Sequence, residues 1–416
     1  MSGKTPMQSL TMALSAMLSE IPSPSTVEWV ALENAAERIL ADDVVSPMCV
    51  PTINNAAMDG YALRFSDIGC HSEHPIVGQS FAGHPFVGSA DVGACIRVTT
   101  GALVPDEFDT VVMQEDVIIL NQDINPAISL QIMPKAGQHV RLLGSEIDDG
   151  QRVLTRGTKL GPLHLGLLAT LGIAKVAVYP TLKVGVLSSG DELKQPGETL
   201  VLGELYDSNR IVIKSILTRL GYQVIDYGWV ADDPVQLKNL FDNAAREVDA
   251  LITSGGVSVG AADHTRSVLE SIGQMHFWQV AIKPGKPFAF GRLKECLFFG
   301  LPGNPVSAVM TLEQLVVAGL AKRAGQSPHD VMLGQGKIMP AVAKKSLSKK
   351  TGRLDFQRVA VEFTVDGCHA EPIGLDSSGM LTSLLHADGW TLLEQERGNI
   401  DTGEHIQVQL KSPWLF

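Results

Sequence analysis

The sequence is short of positive charge, of cysteine and of long apolar segments. Its 416 residues carry 33 Lys and Arg against 45 Asp and Glu, a net charge of −12. A duplex-binding protein needs a positive surface, so we expect no nucleic acid partner. The five cysteines form no Cys-x-x-Cys pair, which is typical of reduced thiols in a cytoplasmic protein. No apolar run approaches the roughly 20 residues that cross a bilayer, so we also expect no membrane partner.

Two common nucleotide-binding motifs are missing as well. A glycine-rich segment follows an apolar run at Ser254-Gly255-Gly256-Val257-Ser258-Val259-Gly260. No Gly-Lys-Ser or Gly-Lys-Thr follows this segment, which excludes a Walker loop. The pattern G-x-G-x-x-G is absent, which excludes the Rossmann fingerprint. A phosphate site in this chain must therefore be of another kind.

The length of the chain predicts several domains, since a single core rarely extends over so many residues. Residues 181–327 alternate short apolar runs with amphipathic helical segments. This alternation is typical of a doubly wound, mainly parallel sheet covered by helices on both faces. We predict an α/β multidomain chain with a small α+β lobe (27–45 and 146–180), an inserted β-rich lobe (46–145), the α/β domain (7–26 and 181–327) and a C-terminal β domain (328–416).

Local patterns predict several individual elements. Apolar residues at helical spacing favour a helix over residues 7–21, and we expect a strand over 26–32 and a short helix over 34–40. Asp366-Gly367, between two β-rich runs, is typical of a hairpin turn. Asp232-Asp233-Pro234 and Pro305 are each expected to begin a helix.

Polar and glycine-rich segments follow the predicted strands of the α/β domain. Ligands of open α/β sheets bind beyond the carboxyl ends of the strands, so these segments should share one edge of the sheet. They contain Glu192, Asp232, the 254–260 loop, Lys283-Pro284-Gly285-Lys286-Pro287 and Leu301-Pro302-Gly303-Asn304-Pro305.

Two of these segments are suited to bind an anion. The 254–260 loop joins a strand to a helix start, where glycine N–H groups can approach phosphate oxygens. An ordinary glycine-rich turn fits the same pattern. Lys283 and Lys286 flank a Pro-Gly turn that aims two ammonium groups at one volume, and an anion between them would offset their repulsion. Two solvated surface lysines are the alternative.

Three carboxylates, Glu192, Asp232 and Asp263, follow neighbouring predicted strands. Carboxylates beside a phosphate site require a cation, and Mg²⁺ fits because it binds one or two carboxylates together with substrate phosphates. Asp232 and Asp263 are also well suited to cap helix N-termini, and one residue can have both roles. The residues alone thus predict a site for a phosphate-bearing anion with Mg²⁺ as cofactor.

Seven motifs, in order along the chain, closely resemble those of the molybdopterin molybdenumtransferase family, MoeA and the E domain of gephyrin. The resemblance extends over residues 10–411. The motifs are Ala57-Met58-Asp59-Gly60-Tyr61-Ala62, Thr100-Gly101-Ala102, Ser189-Gly190-Asp191-Glu192-Leu193, the 254–260 loop, Lys283-Pro284-Gly285-Lys286-Pro287, Leu301-Pro302-Gly303-Asn304-Pro305 and Arg353-Leu354-Asp355-Phe356-Gln357-Arg358. One such motif would be weak, but seven in order are specific.

The resemblance implies an enzyme that inserts molybdate, its substrate, into adenylylated molybdopterin. Mg²⁺-dependent release of AMP would accompany this step and yield molybdenum cofactor. The resemblance also implies an elongated, four-lobed homodimer whose site lies between the sheet domain of one subunit and the β lobe of the other. Further partners would be the adenylyltransferase of the pathway and the enzymes that accept the cofactor.

The resemblance also implies the roles of individual residues. The implied catalytic residues are Asp59, Thr100, Glu146, Glu192, Asp232, Asp263, Lys283 and Lys286, of which Glu192, Asp232 and Asp263 are also metal ligands. The implied cofactor-binding residues are Ser254, Gly255, Gly256, Ser258, Pro302, Gly303, Asn304, Ser307, Arg358 and Ser378. Molybdate would bind the cations and hydroxyls of Lys283, Lys286, Ser307, Arg358 and Ser378. Asp59 and Thr100 would reach in from the β lobe of the other subunit.

Some positions depart from the family pattern. Gly144-Ser145-Glu146 stands where the family commonly has Gly-Glu-Asp, and Gly260-Ala261 stands where it has Gly-Glu. Two alternatives to the insertase stay open, the second of which these departures motivate. One is the adenylyltransferase of the same pathway, which the sheet domain alone would permit. The other is a non-catalytic molybdopterin-binding paralogue.

Overall fold

The structure is a computed structural model that describes residues 7–121, 124–256, 264–328, 331, 336–374 and 377–415. The chain separates into two compact units. The sheet–barrel unit comprises Met1–Asp42, Arg156–Leu165 and Lys175–Phe416, and the β unit comprises Asp43–Thr155 and Gly166–Ala174. No helix of the described residues is long and apolar enough to cross a bilayer. All five cysteines are free thiols.

Most of the regular structure is β-strand. The strands in chain order are β1 (Glu28–Ala31), β2 (Val44–Val45), β3 (Asn55–Ala56), β4 (Gly60–Leu63), β5 (His74–Ser80), β6 (Cys95–Val98), β7 (Thr110–Met113), β8 (Val117–Leu120), β9 (Ala127–Leu130), β10 (Val140–Arg141), β11 (Arg152–Leu154), β12 (Lys175–Val178), β13 (Lys183–Ser189), β14 (Leu193–Lys194), β15 (Leu205–Tyr206), β16 (Gln223–Val230), β17 (Ala250–Ser254), β18 (Gln274–Gln279), β19 (Ile282–Lys283), β20 (Pro287–Leu293), β21 (Cys296–Leu301), β22 (Ile338–Ala343), β23 (Leu354–Asp355), β24 (Arg358–Thr364), β25 (Gly367–Pro372), β26 (Gly389–Thr391) and β27 (His405–Leu410).

The helices lie mainly in the sheet–barrel unit. They are α1 (Leu10–Glu20), α2 (Pro162–Thr170), α3 (Asn209–Arg219), α4 (Pro234–Glu247), α5 (His264–Ile272), α6 (Pro305–Thr311), α7 (Val317–Arg323) and α8 (Thr382–His386). A π-helical turn, Leu312–Val316, joins α6 to α7. Short 3₁₀ turns cover Leu32–Asn34, Phe65–Asp67, Gln114–Asp116 and Pro413–Leu415.

A six-stranded sheet in the order β16-β13-β17-β21-β20-β18 forms the centre of the sheet–barrel unit. β16, β13, β17 and β21 are parallel to one another. β20 is antiparallel to β21, and β18 is antiparallel to β20. The predicted mainly parallel sheet is thus confirmed, with two antiparallel strands added at one side.

Alternate residues of the central strands enter two separate apolar cores. On β17, Ala250 and Ile252 belong to one core, whereas Leu251 belongs to the other. Successive strand residues point to opposite faces, so a strand buried on both sides has a continuous apolar run. Side chains of α1, α3, α6 and α7 complete the first core, and side chains of α4 and α5 complete the second.

The C-terminal strands close into a barrel, β22-β25-β24-β26-β27. β24 and β25 form the predicted hairpin, with Thr364 opposite Gly367. The two loop residues are therefore Val365 and Asp366, one position earlier than the predicted Asp366-Gly367. Gly367 instead begins β25 with a φ of 122°.

The helix predicted over residues 34–40 is wrong. Glu37 has a φ of 63°, which ends any right-handed helix there. Ile39 and Leu40 form antiparallel bridges with Lys159 and Val178. Because distant backbone groups satisfy this segment, the local helical pattern does not prevail. The helix predicted over 7–21 is confirmed as α1, and the strand predicted over 26–32 is confirmed as β1.

The β unit contains a second six-stranded sheet in the order β7-β4-β6-β5-β9-β8. A Cβ at Gly60 would lie 1.9 Å from the carbonyl oxygen of Val112, so only glycine lets β4 approach β7 at this point. Asp59 immediately precedes this glycine, and the close strand pairing therefore fixes the backbone on which Asp59 lies. The four-lobe division of the chain stays a prediction.

Candidate functional site

A cavity of about 890 Å³ lies at the carboxyl edge of the central sheet. Its walls come from the segments that follow β13, β16, β17 and β21, from the segment before β20, and from residues of the C-terminal region. The predicted site residues that line it are Glu192, Asp232, Ser254, Gly255, Gly256, Lys283, Lys286, Pro302, Gly303, Asn304, Ser307, Arg358 and Ser378. Residues far apart in the sequence thus meet at one edge, as parallel strands require.

The other predicted residues do not line this cavity in the described structure. Asp263 and Ser258 lie outside the described residues. Glu146 is exposed in the β unit, as is Asp59. Thr100 donates its amide and its hydroxyl to Oδ1 of Asp59, at 2.7 and 2.8 Å. These two hydrogen bonds hold the pKa of the Asp59 carboxyl below its ordinary value, so the group is a fixed negative charge at neutral pH.

The glycine-rich loop starts directly at the end of β17. Gly255 and Gly256 have φ values of 92° and 67°, which favour glycine. A Cβ at Gly255 would lie 2.4 Å from the carbonyl oxygen of Ser189, and a Cβ at Gly256 would lie 2.5 Å from Oγ1 of Thr265. Both positions therefore require glycine. Without side chains, the backbone of this loop can come close to an anion in the cavity.

Lys283 is oriented by a buried carboxylate. β19 and β23 are parallel, and their register places Lys283 opposite Asp355. The ammonium nitrogen lies 3.3 Å from Oδ2 of Asp355, whose side chain is only 3% exposed. Lys283 is therefore not a freely solvated lysine, although Lys286 is exposed at the cavity wall. Asp355 could not be assigned to the site from the sequence, because only the strand register brings it to Lys283.

Two arginines line the same cavity as Lys283 and Lys286. Arg358 is 3% exposed, and its Nη2 donates to the carbonyl oxygen of Ser377 at 3.2 Å. Arg353 also lines the cavity and is half-buried. Arg353 belongs to the same motif as Arg358 but was given no role from the sequence. Its place in the same motif, five residues before Arg358, was the sequence feature that could have assigned Arg353 to the site.

Asp232 does not cap α4, so that alternative is wrong. Asp233 is the N-cap, and its Oδ1 accepts from the amides of Val235 and Gln236 at 2.9 and 2.8 Å. Asp232 instead lines the cavity. Its amide donates to Oδ1 of Asp191 at 3.1 Å, which ties the loop after β16 to the loop after β13.

The carboxylates of the cavity suit Mg²⁺ only in combination with a ligand. In the part of the chain that the structure describes, no group of three or more His, Cys, Asp or Glu could hold a metal ion. Glu192 and Asp232 nevertheless line one cavity. Mg²⁺ is commonly held by one or two carboxylates plus substrate phosphates, so this donor set fits a phosphate-bound magnesium ion.

The charges of the cavity are ordered along the sheet edge. Glu192 and Asp232 follow β13 and β16, the glycine loop follows β17, and Lys283 and Lys286 precede β20. Neighbouring strands are about 4.8 Å apart, so roughly 14 to 19 Å separate the strands that carry the carboxylates from the strand beside the lysines. A ligand with an anionic centre could extend between these two ends.

A buried charge network fixes the start of α3 beside the cavity. Asp207 is 2% exposed and accepts from Oγ of Ser188 at 3.0 Å and from Nε of Arg210 at 2.8 Å. Nη1 of Arg210 also contacts both carboxylate oxygens of Asp226 at 2.8 Å. Burial alone would raise the pKa of Asp226, but hydrogen bonds from Gly228, Arg210 and Lys214 outweigh it and lower that pKa.

Asn209, the first residue of α3, joins two loops of the cavity. Its Nδ2 donates to Oγ of Ser254 at 2.8 Å and to the carbonyl oxygen of Gly303 at 2.7 Å. Asn209 was not predicted from the sequence to belong to the site, since an asparagine at a helix start has an ordinary structural explanation. A second asparagine, Asn304, donates to Oγ of Ser378 at 3.0 Å.

Three family regions match the chain in order. The MoeA N-terminal region (domain I and II) matches residues 8–172. A probable molybdopterin binding domain matches residues 185–322, and the MoeA C-terminal region (domain IV) matches residues 340–411.

Individual relatives match over nearly the whole chain. A molybdopterin molybdenumtransferase of Haemophilus influenzae is 44% identical over 409 residues, which cover 97% of this chain and 98% of that protein. Another from Synechococcus elongatus is 36% identical, with 96% and 99% covered. The solved structure of a molybdopterin biosynthesis MoeA protein from Pyrococcus horikoshii OT3 aligns with a TM-score of 0.81 at 26% identity, over 97% of this chain and all of that chain.

Proposed function

The chain belongs to the MoeA family of molybdopterin molybdenumtransferases, and we propose how its cavity performs that reaction. The observation that carries the proposal is the meeting of carboxylates, a glycine loop and cations in one cavity. The reaction takes adenylylated molybdopterin and molybdate and yields molybdenum cofactor and AMP. It is a transferase reaction of molybdenum cofactor biosynthesis.

The order of charges along the sheet edge gives the orientation of the substrate. The two linked phosphates would lie at Gly255 and Gly256, where the absence of side chains lets their oxygens come close to the backbone; the Gly255 amide itself donates to the Leu301 carbonyl oxygen at 3.1 Å and is not free for the ligand. Molybdate, a tetrahedral oxyanion, would lie among Lys283, Lys286 and Arg358, with the hydroxyls of Ser307 and Ser378 beside it. Since molybdenum must bond to the dithiolene, the pterin end would lie near these cations. The nucleotide end would then extend towards Glu192 and Asp232.

Glu192 and Asp232, together with Asp263, would hold Mg²⁺. The bound ion would supply positive charge against the phosphate oxygens of the nucleotide end. Without the ion the two carboxylates would repel the phosphates, so the nucleotide end would bind there only together with Mg²⁺. Pro302, Gly303 and Asn304 would form the part of the wall directly beside the glycine loop, since a Cβ at Gly303 would lie 4.0 Å from the Cα of Gly255.

Catalysis would depend on fixed charge rather than on a covalent intermediate. Asp355 and the Ser377 carbonyl hold Lys283 and Arg358 in place. Charges held in this way need little reorganisation as molybdate reacts, whereas the negative charge on the phosphate that leaves with AMP would be offset by the Mg²⁺ held at Glu192 and Asp232. The adenylate would be hydrolysed as molybdenum is transferred to the dithiolene.

A second subunit would complete the site. We infer a homodimer in which Asp59 and Thr100 enter the cavity from the β unit of the other subunit. Asp59 is suited to this role, because it is exposed and Thr100 keeps it ionised. Glu146, one methylene longer than the aspartate common in the family, would lie in the same entering surface. The protein would act in the cytoplasm, where it would meet the adenylyltransferase and the enzymes that accept the cofactor.

The experiment that tests this function uses the purified chain with adenylylated molybdopterin, molybdate and Mg²⁺. We expect AMP release that requires molybdate. Release of pyrophosphate from ATP in the presence of molybdopterin would instead support the adenylyltransferase. Ligand binding without AMP release, together with failure to restore a strain that lacks its insertase, would support the non-catalytic paralogue.

A further inference from the structure

Asn209 connects the two loops that border the proposed phosphate position. Ser254 lies 45 residues from Asn209 along the chain, and Gly303 lies 94 residues away. All three residues line the cavity. One side chain at the start of α3 therefore holds the loop after β17 and the loop after β21 at a fixed separation.

The orientation of this amide follows from its partners. The carbonyl oxygen of Gly303 can only accept a hydrogen bond, so the atom of Asn209 that faces it at 2.7 Å must be the nitrogen. The second hydrogen of the same nitrogen is directed at Oγ of Ser254 at 2.8 Å. Asn209 thus uses both amide hydrogens within the protein.

This arrangement fixes the direction of the Ser254 hydroxyl. Because its oxygen accepts from Asn209, its own hydrogen must point elsewhere. Among the residues that the structure describes, the Ser254 hydroxyl donates to no acceptor. The residue lines the cavity and is only 3% exposed, so this hydrogen is available to a ligand oxygen placed there.

A second buried hydroxyl lies beneath the glycine loop at this point. Ser189 also lines the cavity, and the residue is only 5% exposed. Its Oγ is buried and has no hydrogen-bond partner within the described residues. A buried hydroxyl without a partner costs free energy unless a ligand or water satisfies it. Ser189 adjoins the glycine loop, since its carbonyl oxygen is what a Cβ at Gly255 would meet at 2.4 Å.

We propose that Asn209 is a positioning residue for the phosphate group of the substrate, acting through the Ser254 hydroxyl and the Gly303 backbone. It aims the Ser254 hydrogen at a phosphate oxygen. The identity of the phosphate ligand rests on the proposed function. The geometry of the two hydroxyls and the amide does not depend on it.

Equilibrium binding of AMP to the full chain in the presence of Mg²⁺ tests this role. We expect Asn209→Ala to weaken AMP binding about three- to tenfold, the effect of one or two ordinary hydrogen bonds. Asn209→Asp should weaken it further, because a carboxylate would face the Gly303 carbonyl and repel the phosphate. Thr218→Ala is the control on the same helix. The Thr218 hydroxyl donates only to the Lys214 carbonyl oxygen within α3, so this variant should bind AMP with wild-type affinity.

A double-mutant cycle separates positioning from a general effect on folding. If Asn209 acts through Ser254, Asn209→Ala should weaken AMP binding much less in a Ser254→Ala background than in the wild type. The KM for molybdate should stay unchanged in Asn209→Ala. The proposal would be overturned if Asn209→Ala bound AMP with wild-type affinity. It would also be overturned if the fold-loss of AMP affinity in the double variant equalled the product of the fold-losses in the two single variants. If Asn209→Ala weakens AMP binding but the wild type releases no AMP with molybdate, the positioning role stands and the proposed function fails.

Discussion

Asp355 accepts a hydrogen bond from Lys283 at 3.3 Å, although 72 residues separate the two along the chain. The pair arises from a short parallel pairing of β19 with β23. The same carboxylate accepts from Nε2 of Gln357 at 3.3 Å. A buried negative charge therefore holds one of the lysines proposed to bind molybdate.

Asp355→Asn should impair the use of molybdate without unfolding the chain. The amide keeps the shape of the side chain but no longer attracts the ammonium group. We expect kcat/KM for molybdate to fall by roughly ten- to a hundredfold, since a catalytic group misplaced by about 1 Å can cost this much. The AMP affinity should change little, because the glycine loop is untouched.

Glu362→Gln is the matched control for that substitution. It removes the partner of Lys344 in an exposed ion pair of 2.8 Å, and exposed pairs contribute little. Its kinetics should equal those of the wild type. Wild-type use of molybdate by Asp355→Asn would mean that Lys283 does not depend on this carboxylate.

The adjacent residues Asp232 and Asp233 should give opposite phenotypes. Asp233→Ala removes an N-cap that accepts two amides, which should cost about 1 kcal/mol of stability and leave the Mg²⁺ requirement unchanged. Asp232→Asn should raise the Mg²⁺ concentration needed for half-maximal AMP release and should leave the melting temperature near that of the wild type. Thermal unfolding and a Mg²⁺ titration of both variants measure this. A lowered melting temperature with unchanged Mg²⁺ dependence in Asp232→Asn would contradict the assignment.

Glu313 should make the stability of the chain depend on pH. Burial raises the pKa of its carboxyl to about 7, although Ser412 and Trp390 donate to its oxygens at 2.6 and 3.0 Å. The unfolded chain releases this proton near pH 4.5, whereas the folded chain keeps it until about pH 7. The contribution of Glu313 to stability is therefore full below pH 4.5, falls as the pH rises to about 7, and is reduced by about 3 kcal/mol above that range.

Glu313→Gln tests this pH dependence. The glutamine oxygen can accept from Trp390, and its NH₂ can donate to Oγ of Ser412, so the buried contacts persist without a titrating group. We expect the melting temperatures of variant and wild type to differ least at pH 4, where Glu313 is protonated in both states, and the variant to melt higher than the wild type at pH 8. Parallel curves from pH 5 to pH 8 would show that Glu313 does not titrate in this range.

Asp59→Asn should abolish function without affecting the fold of the subunit. The carboxyl is exposed, and its lowered pKa keeps it charged as the pH falls below the value of a free aspartate. Asp59 therefore stays ionised from pH 5 to pH 7 even when Thr100→Val removes the hydroxyl hydrogen bond. Any loss of activity as the pH falls through this range should have the same midpoint in Thr100→Val and in the wild type. The measurement is restoration of cofactor-dependent enzyme activity in a strain that lacks its insertase. Unimpaired restoration by Asp59→Asn would contradict the contribution of the second subunit.

The central sheet could be predicted because its strands are buried on both faces. The apolar run at residues 184–187 and the run at 250–253 can be read without knowledge of their neighbours, and both are strands. The residues at the strand ends then follow, since all parallel strands end at one edge. This is why Glu192, Gly255 and Lys286 could be assigned to one site from the sequence.

Contacts that depend on register could not be predicted in this way. Asp355 reaches Lys283, and Asn209 reaches Ser254 and Gly303, only after distant segments have packed. The bridges of Ile39 and Leu40 overrode a local helical pattern for the same reason. Glu313 did carry a signal, a single carboxylate within the apolar helical pattern at 305–322.

The most direct test of the account is a single-turnover reaction with limiting adenylylated molybdopterin, Mg²⁺ and increasing molybdate. Both AMP and pterin-bound molybdenum are measured in each reaction. We predict that they appear in a one-to-one ratio and at the same rate, and that Lys286→Ala slows both equally. AMP released at full rate without molybdate, with no molybdenum on the pterin, would contradict the claim that one cavity couples the two events.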